Sequence, residues 1–193
     1  MTQLYHLFIT TLTAPRQAAA YLAGLGLDIR AGVAGLVVTV ILGVLVLFTL
    51  NGFQPVGLMM GMAPLSPITF VAMVLISNLL LMGAILITGR IFGGTGTFET
   101  GLIFFAWLQF IQLGIQITLA VLALILGPGL AAFASLASIV IVFWITFNFI
   151  SVLHGFDAIW KAIVTFVLAI IALAFAVSIL LTIAGVQPPQ VTL

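Results

Sequence analysis

The chain has 193 residues, 65% of them hydrophobic and only 4% charged, with a net charge of +1, no cysteine and a mean hydropathy of +1.51. That composition excludes a soluble globular domain, and the near-zero net charge gives a nucleic-acid partner no electrostatic footing. Without Cys there is no disulfide, thiolate metal site, thiol nucleophile or palmitoylation site.

The chain opens on a segment, residues 1–30, that is less apolar than the remainder. Leu4, Leu7, Phe8 and Leu12 recur at helical spacing. Thr13-Ala14-Pro15 then reads as a second helix start with proline in the first turn. From there Ala18, Ala19, Leu22 and Leu25 share a face opposite Arg16 and Gln17. Residues 3–26 are therefore expected to form one or two amphipathic helices lying on the cytoplasmic leaflet. The first strongly apolar run after them is long enough to span, so no cleavable signal peptide is expected.

A hydrocarbon core of roughly 30 Å takes about 20 helical residues. On that measure five spans are expected, at 31–50, 68–88, 101–126, 130–152 and 162–184, within a membrane domain of residues 31–186. Asn51-Gly52 closes the first span as a turn. The Pro-, Gly- and Met-rich, uncharged stretch 53–67 suits a loop hugging the membrane surface. The glycine-dense run Gly89 to Glu99 joins spans two and three, and Gly127-Pro128-Gly129 is short enough to force spans three and four to be antiparallel neighbours. His154-Gly155-Phe156-Asp157 ends span four, and residues 187–193 form a short uncharged tail.

Every charged residue falls in three stretches: Arg16, Asp28 and Arg30; Arg90 and Glu99; Asp157 and Lys161. Five spans gather these on one face. Lys and Arg are retained in the cytoplasm, so the N-terminus is expected inside and the C-terminus outside, in a multi-pass protein of the cell inner membrane.

No ionisable group falls near the middle of a span, which argues against proton- or ion-coupled pumping. The polar side chains there are amides and a hydroxyl: Asn78 in span two, Gln109, Gln112 and Gln116 in span three, Asn148 with Ser151 in span four. The three glutamines follow i, i+3, i+7 spacing and line one helix face, with Asn78 near the same depth. They either tie helices together by hydrogen bonds or line a polar groove that admits a lipid headgroup or small solute. At the charged face Arg90, Glu99, His154 and Asp157 form a second candidate cluster. His154 and Asp157, three apart, are expected to pair, cap the helix end or bond to Arg90. No HExxH, serine nucleophile motif or phosphate loop accompanies them, so no catalytic residue, cofactor or metal is expected. Small residues at Ala131, Ala134, Ser135 and Ser138, and at Ala172 and Ala176, are candidates for close helix packing.

The stretches Ala14-Pro15-Arg16-Gln17-Ala18, Gly89-Arg90-Ile91-Phe92-Gly93-Gly94-Thr95-Gly96-Thr97-Phe98 and Ser151-Val152-Leu153-His154-Gly155-Phe156, set in a five-span layout, resemble the Yip (Ypt-interacting protein) family, in particular its short bacterial branch. The resemblance implies a non-enzymatic membrane protein with a structural or adaptor role, organising the membrane or assisting a membrane complex. Its implied partners are membrane lipids and other membrane proteins or further copies of the chain. Eukaryotic relatives bind prenylated Rab GTPases through a longer cytosolic N-terminal region; with almost none here, GTPase binding is not expected. The alternative is a small transporter, channel or lipid-moving protein using the polar surface between spans two and three.

Overall fold

The computed structural model describes residues 2–54, 56 and 65–183. Most of the 53–67 linker, the end of the fifth span at residue 184 and the tail 187–193 therefore lie outside the described residues. The described chain is all-helical apart from one antiparallel bridge, in which Leu65 N–H donates to the Val56 carbonyl at 3.1 Å.

Two short helices come first, α1 (Thr2–Thr13) and α2 (Pro15–Gly24). They break at Ala14 because the residue before a proline is pushed out of helical geometry, and Pro15 then starts α2 in its first turn. Five long helices succeed them: α3 (Ile29–Leu50), α4 (Pro67–Ile91), α5 (Phe98–Leu126), α6 (Pro128–His154) and α7 (Ile159–Ile183). Each is long and apolar enough to cross a bilayer, and the protein is an all-α, multi-pass membrane protein.

The helix ends are set by local chemistry. The Asp28 carboxylate accepts from Ala31 N–H at 2.9 Å, Ser66 Oγ from Thr69 N–H at 3.2 Å and Thr97 Oγ1 from Thr100 N–H at 3.3 Å, starting α3, α4 and α5. Gly127, at φ +85°, is the single residue between α5 and α6, a conformation that side chains disfavour. Gly155 stops α6 in the left-handed region.

The helices alternate in direction. The start of α3, the end of α4, the start of α5, the end of α6 and the start of α7 share one end of the bundle, and Asp28, Arg30, Arg90, Glu99, Asp157 and Lys161 all lie there. A buried stripe on α3, Gly32, Leu36, Val40, Val44 and Phe48, repeats every four residues. At its charged end it lies against α5, where Gly32 comes up to the Leu102 side chain and Gly35 to Ala106. Phe48 meets Phe70 of α4 edge-on at the opposite end, 5.9 Å between ring centres. Phe104 of α5 meets Phe149 of α6 at 5.0 Å.

Helix α7 packs on α4 through Ala162, Thr165 and Ala169, all fully buried, and the Thr88 hydroxyl donates across to the Thr165 carbonyl at 3.1 Å. This corrects the expectation for α7: Ala172 and Ala176 are exposed. The small face that brings the helices together lies one to two turns nearer the charged end.

Burial is uneven along the bundle. On α4 the buried positions run from Met82 to Gly89, on α5 from Gly101 to Leu113, on α6 from Ile145 to His154 and on α7 from Ala162 to Ala169. All belong to the charged half or the middle. In the other half the same four helices turn large apolar side chains outward, with Ile68 83% and Leu124 84% exposed. Among the described residues, burial on α4 to α7 is concentrated toward the charged end, while α3 stays buried as far as Phe48 at the other.

Candidate functional site

The amide surface is assembled from three helices. Asn78 stands near the middle of α4, where its side-chain amide donates to the Val74 carbonyl at 2.8 Å. Its Oδ1 is left to accept, and Gln109 Nε2 of α5 donates to it at 2.7 Å. Gln109, Gln112 and Gln116 line a cavity of about 160 Å³, walled otherwise by Val40, Gly43 and Val44 of α3 and Phe70 and Val74 of α4. Gly43 leaves the space that the Gln116 amide approaches. Asn148 is not part of this surface. It is buried on α6 and donates to the Trp144 carbonyl of its own helix at 2.7 Å.

At the charged end the glycine run folds around His154. Gly89 lies in the last turn of α4, and Phe92, Gly93 and Gly94 N–H groups turn back onto the Gly89 and Arg90 carbonyls. The turn is pinned to α6 where Thr95 N–H donates to the His154 carbonyl at 3.3 Å. The imidazole lies against the backbones of Gly89, Gly94 and Gly96, so closely that a Cβ at any of them would run into the ring. Phe156 stacks on its other side, 5.2 Å between centres and tilted by 20°, and Lys161 Nζ sits 5.9 Å from the Phe156 ring centre. His154 is only 2% exposed and neither ring nitrogen has a hydrogen-bond partner among the described residues.

The expected pairing of His154 with Asp157 or Arg90 is therefore not formed. Gly155 in the left-handed region turns the chain away after His154, and Arg90, Glu99 and Asp157 are exposed on the bundle end while the ring is enclosed. What the sequence presents as a four-residue polar cluster is, in the fold, a buried aromatic keystone with three charges outside it. Among the described residues no group of three His, Cys, Asp or Glu is placed to hold a metal ion.

A third junction was not legible in the sequence. Helices α1 and α2 pack on the flank of α5 and α6, burying Leu7, Thr11, Ala18, Ala19 and Leu22. Trp107 Nε1 of α5 donates to Thr11 Oγ1 at 3.0 Å, and the Thr11 hydroxyl donates in turn to the Leu7 carbonyl at 2.8 Å. Phe8 packs edge-on against Phe110 and over Gly114, where a Cβ would approach its ring to 2.8 Å. A glycine in an apolar span facing a phenylalanine on an amphipathic segment is the only sequence trace of this contact.

No curated protein and no solved structure matches the chain. The family model of the Yip1 domain matches residues 9–180, which takes in the C-terminal part of α1, α2 to α6 entire and most of α7. That family is not known for enzymes. With five membrane-spanning helices, a helical N-terminal segment docked on them and a match over nearly its whole length, the chain belongs to the Yip1 domain family.

Proposed function

We propose that the protein is a non-enzymatic component of the cell inner membrane with a structural or adaptor role, organising the bilayer or assisting another membrane complex. Its N-terminal helices and charged end face the cytoplasm in this reading, because all four Lys and Arg residues belong to the segments on that side.

The observation that carries the reading is where the polar groups of the spans are spent. Gln109 of α5 is bonded to Asn78 of α4, and Thr88 of α4 to the Thr165 carbonyl of α7. Thr39, Asn148 and Ser151 are bonded back to their own helices. The two bonds between helices contribute about 0.6 kcal/mol each on average in a bilayer and tie α4 to α5 and α7, while the bonds within one helix satisfy their polar groups locally. Purification in a native-like nanodisc, with identification of the proteins and lipids that accompany the chain, tests the role. Reproducible recovery of one membrane complex supports it, and recovery of the chain with bulk lipid alone counts against it.

The alternative, a small transporter, channel or lipid-moving protein, is favoured by one feature: Gln112 is exposed beside the small cavity. Solute or lipid movement in liposomes that is abolished by Gln112→Leu with Gln116→Leu would establish that reading, and unchanged movement would remove it.

A further inference from the structure

A cavity of about 500 Å³ lies between α1 and α2, within the range of about 300–1,000 Å³ in which small-molecule sites fall. Helical spacing builds its polar wall: Gln3, His6 and Thr10 succeed one another at about one turn on α1, and Gln17 and Tyr21 do so on α2. Leu7 and Ala18, 9% and 0% exposed, complete the lining. The helices that carry this wall are held from behind, by the Trp107 to Thr11 bond and by Phe8 over Gly114. Those two α5 residues stand about 14 and 24 Å along the helix from Phe98, so α1 is sunk beside the spans instead of standing in bulk solution.

The wall keeps unused hydrogen-bonding capacity. The Gln3 and Gln17 amides and the Tyr21 hydroxyl have no partner among the described residues. The Thr10 hydroxyl donates to the His6 carbonyl at 2.8 Å, and His6 Nδ1 stands 3.4 Å from the same oxygen. With the hydroxyl hydrogen committed to the carbonyl, Nδ1 is the donor in that long contact and Nε2 is left to accept. Amides, a neutral imidazole and a phenol each both donate and accept. No Asp, Glu, Lys or Arg lines the cavity, and Arg16, the one charged residue among the first 27, lies outside it. An anion there would lack a cation, and a cation a carboxylate. Hydroxyl groups, which also donate and accept, are the complement of such a wall, and the half-exposed Tyr21 ring offers a flat apolar surface to the C–H face of a sugar.

We infer that this cavity binds a neutral polyhydroxyl group, a sugar or glycerol, with Gln3, His6 and Gln17 bonding its hydroxyls and Tyr21 covering its ring. The same chemistry reaches the site either free in solution or as the headgroup of a lipid. The inference goes beyond the adaptor role and does not depend on it, since a binding site and a companion complex are read in separate experiments.

The test uses the full chain in phosphatidylcholine nanodiscs with a rising content of glucosyl-diacylglycerol. Native mass spectrometry of the released chain should show the glycolipid retained in preference to phosphatidylcholine. Gln17→Leu and Gln3→Leu, each removing hydrogen bonds to the sugar, should weaken that retention about tenfold. Arg16→Gln, outside the cavity, should leave it unchanged. Gln3, Gln17 and Arg16 are all exposed, so thermal unfolding close to the parent separates lost binding from misfolding, and the two glutamine variants on different helices keep the test open should one fail to fold. Displacement of the glycolipid by maltose would support the inference with the free sugar as a ligand; a glycolipid held against maltose would support it with the lipid-borne sugar as the occupant. Equal retention of glucosyl-diacylglycerol and phosphatidylcholine would overturn it, as would retention indifferent to both glutamine substitutions. A preference for phosphatidylglycerol over the glycolipid that disappears with Arg16→Gln would overturn it too, by showing that charge and not hydroxyl groups is recognised.

Discussion

Trp107 and Thr11, 96 positions apart in sequence, are joined by a 3.0 Å hydrogen bond from the indole nitrogen to the threonine hydroxyl. The bond fastens the N-terminal helix to the flank of the third span. Thr11→Val keeps the shape but leaves the indole N–H unmet, at a cost of about 1–3 kcal/mol. A cysteine placed at Leu22, only 4% exposed, should then react with maleimide faster than in the parent, while one at the exposed Tyr21 should not change. Equal rates at Leu22 would show that the N-terminal helices do not depend on this bond.

The contact between Phe8 and Gly114 makes a second, independent prediction. Gly114→Ala brings a methyl within 2.8 Å of the Phe8 ring, and overpacking of that kind costs about 1–3 kcal/mol. Phe8→Leu should recover most of the loss in the double variant. The coupling, measured by thermal unfolding in nanodiscs as a double-mutant cycle, should be of opposite sign to the single effects; additive losses would contradict the contact.

His154 and the glycine turn predict a similar pattern. Gly89→Ala and Gly94→Ala each force a methyl into the imidazole and should destabilise by about 1–3 kcal/mol. Asp157→Asn, on an exposed residue outside the ring's enclosure, should change stability by less than about 0.5 kcal/mol. A large effect of Asp157→Asn that vanishes in a His154→Phe background would restore the ion pair that the fold does not show.

Much of this architecture is readable from the chain. Span number comes from length and hydropathy, the α1–α2 break from Pro15, the α5–α6 reversal from Gly127-Pro128-Gly129, and the Asn78–Gln109 bond from two amides at matching depth. Which way each helix faces is not readable. The spans are apolar all round, so periodicity carries no directional signal. Hence Ala172 and Ala176 look as suited to packing as Ala162 and Ala169, and only the fold separates them. His154 misleads for a related reason. Its neighbours in sequence are Asp157 and Gly155, whereas its neighbours in space, Gly89, Gly94 and Gly96, belong to a turn about sixty positions earlier, and backbone that close leaves no polar side chain to announce it.

The α7 assignment can be checked by size alone. Ala169→Leu, at a fully buried position, should destabilise by about 1–3 kcal/mol through overpacking against its neighbours. Ala172→Leu, at an exposed one, should stay within about 0.5 kcal/mol. Equal effects in thermal unfolding would mean that α7 is turned differently on its axis.

The proposed role depends most on the charged end of the bundle lying in the cytoplasm. In the cysteine-free chain, Asn51→Cys at the end of α3 and Thr95→Cys in the glycine turn place single exposed thiols at opposite ends of the bundle. A membrane-impermeant maleimide applied to intact cells should label Asn51→Cys at once and Thr95→Cys only after permeabilisation. Labelling of Thr95→Cys from outside, or of both positions from the same side, would contradict the account.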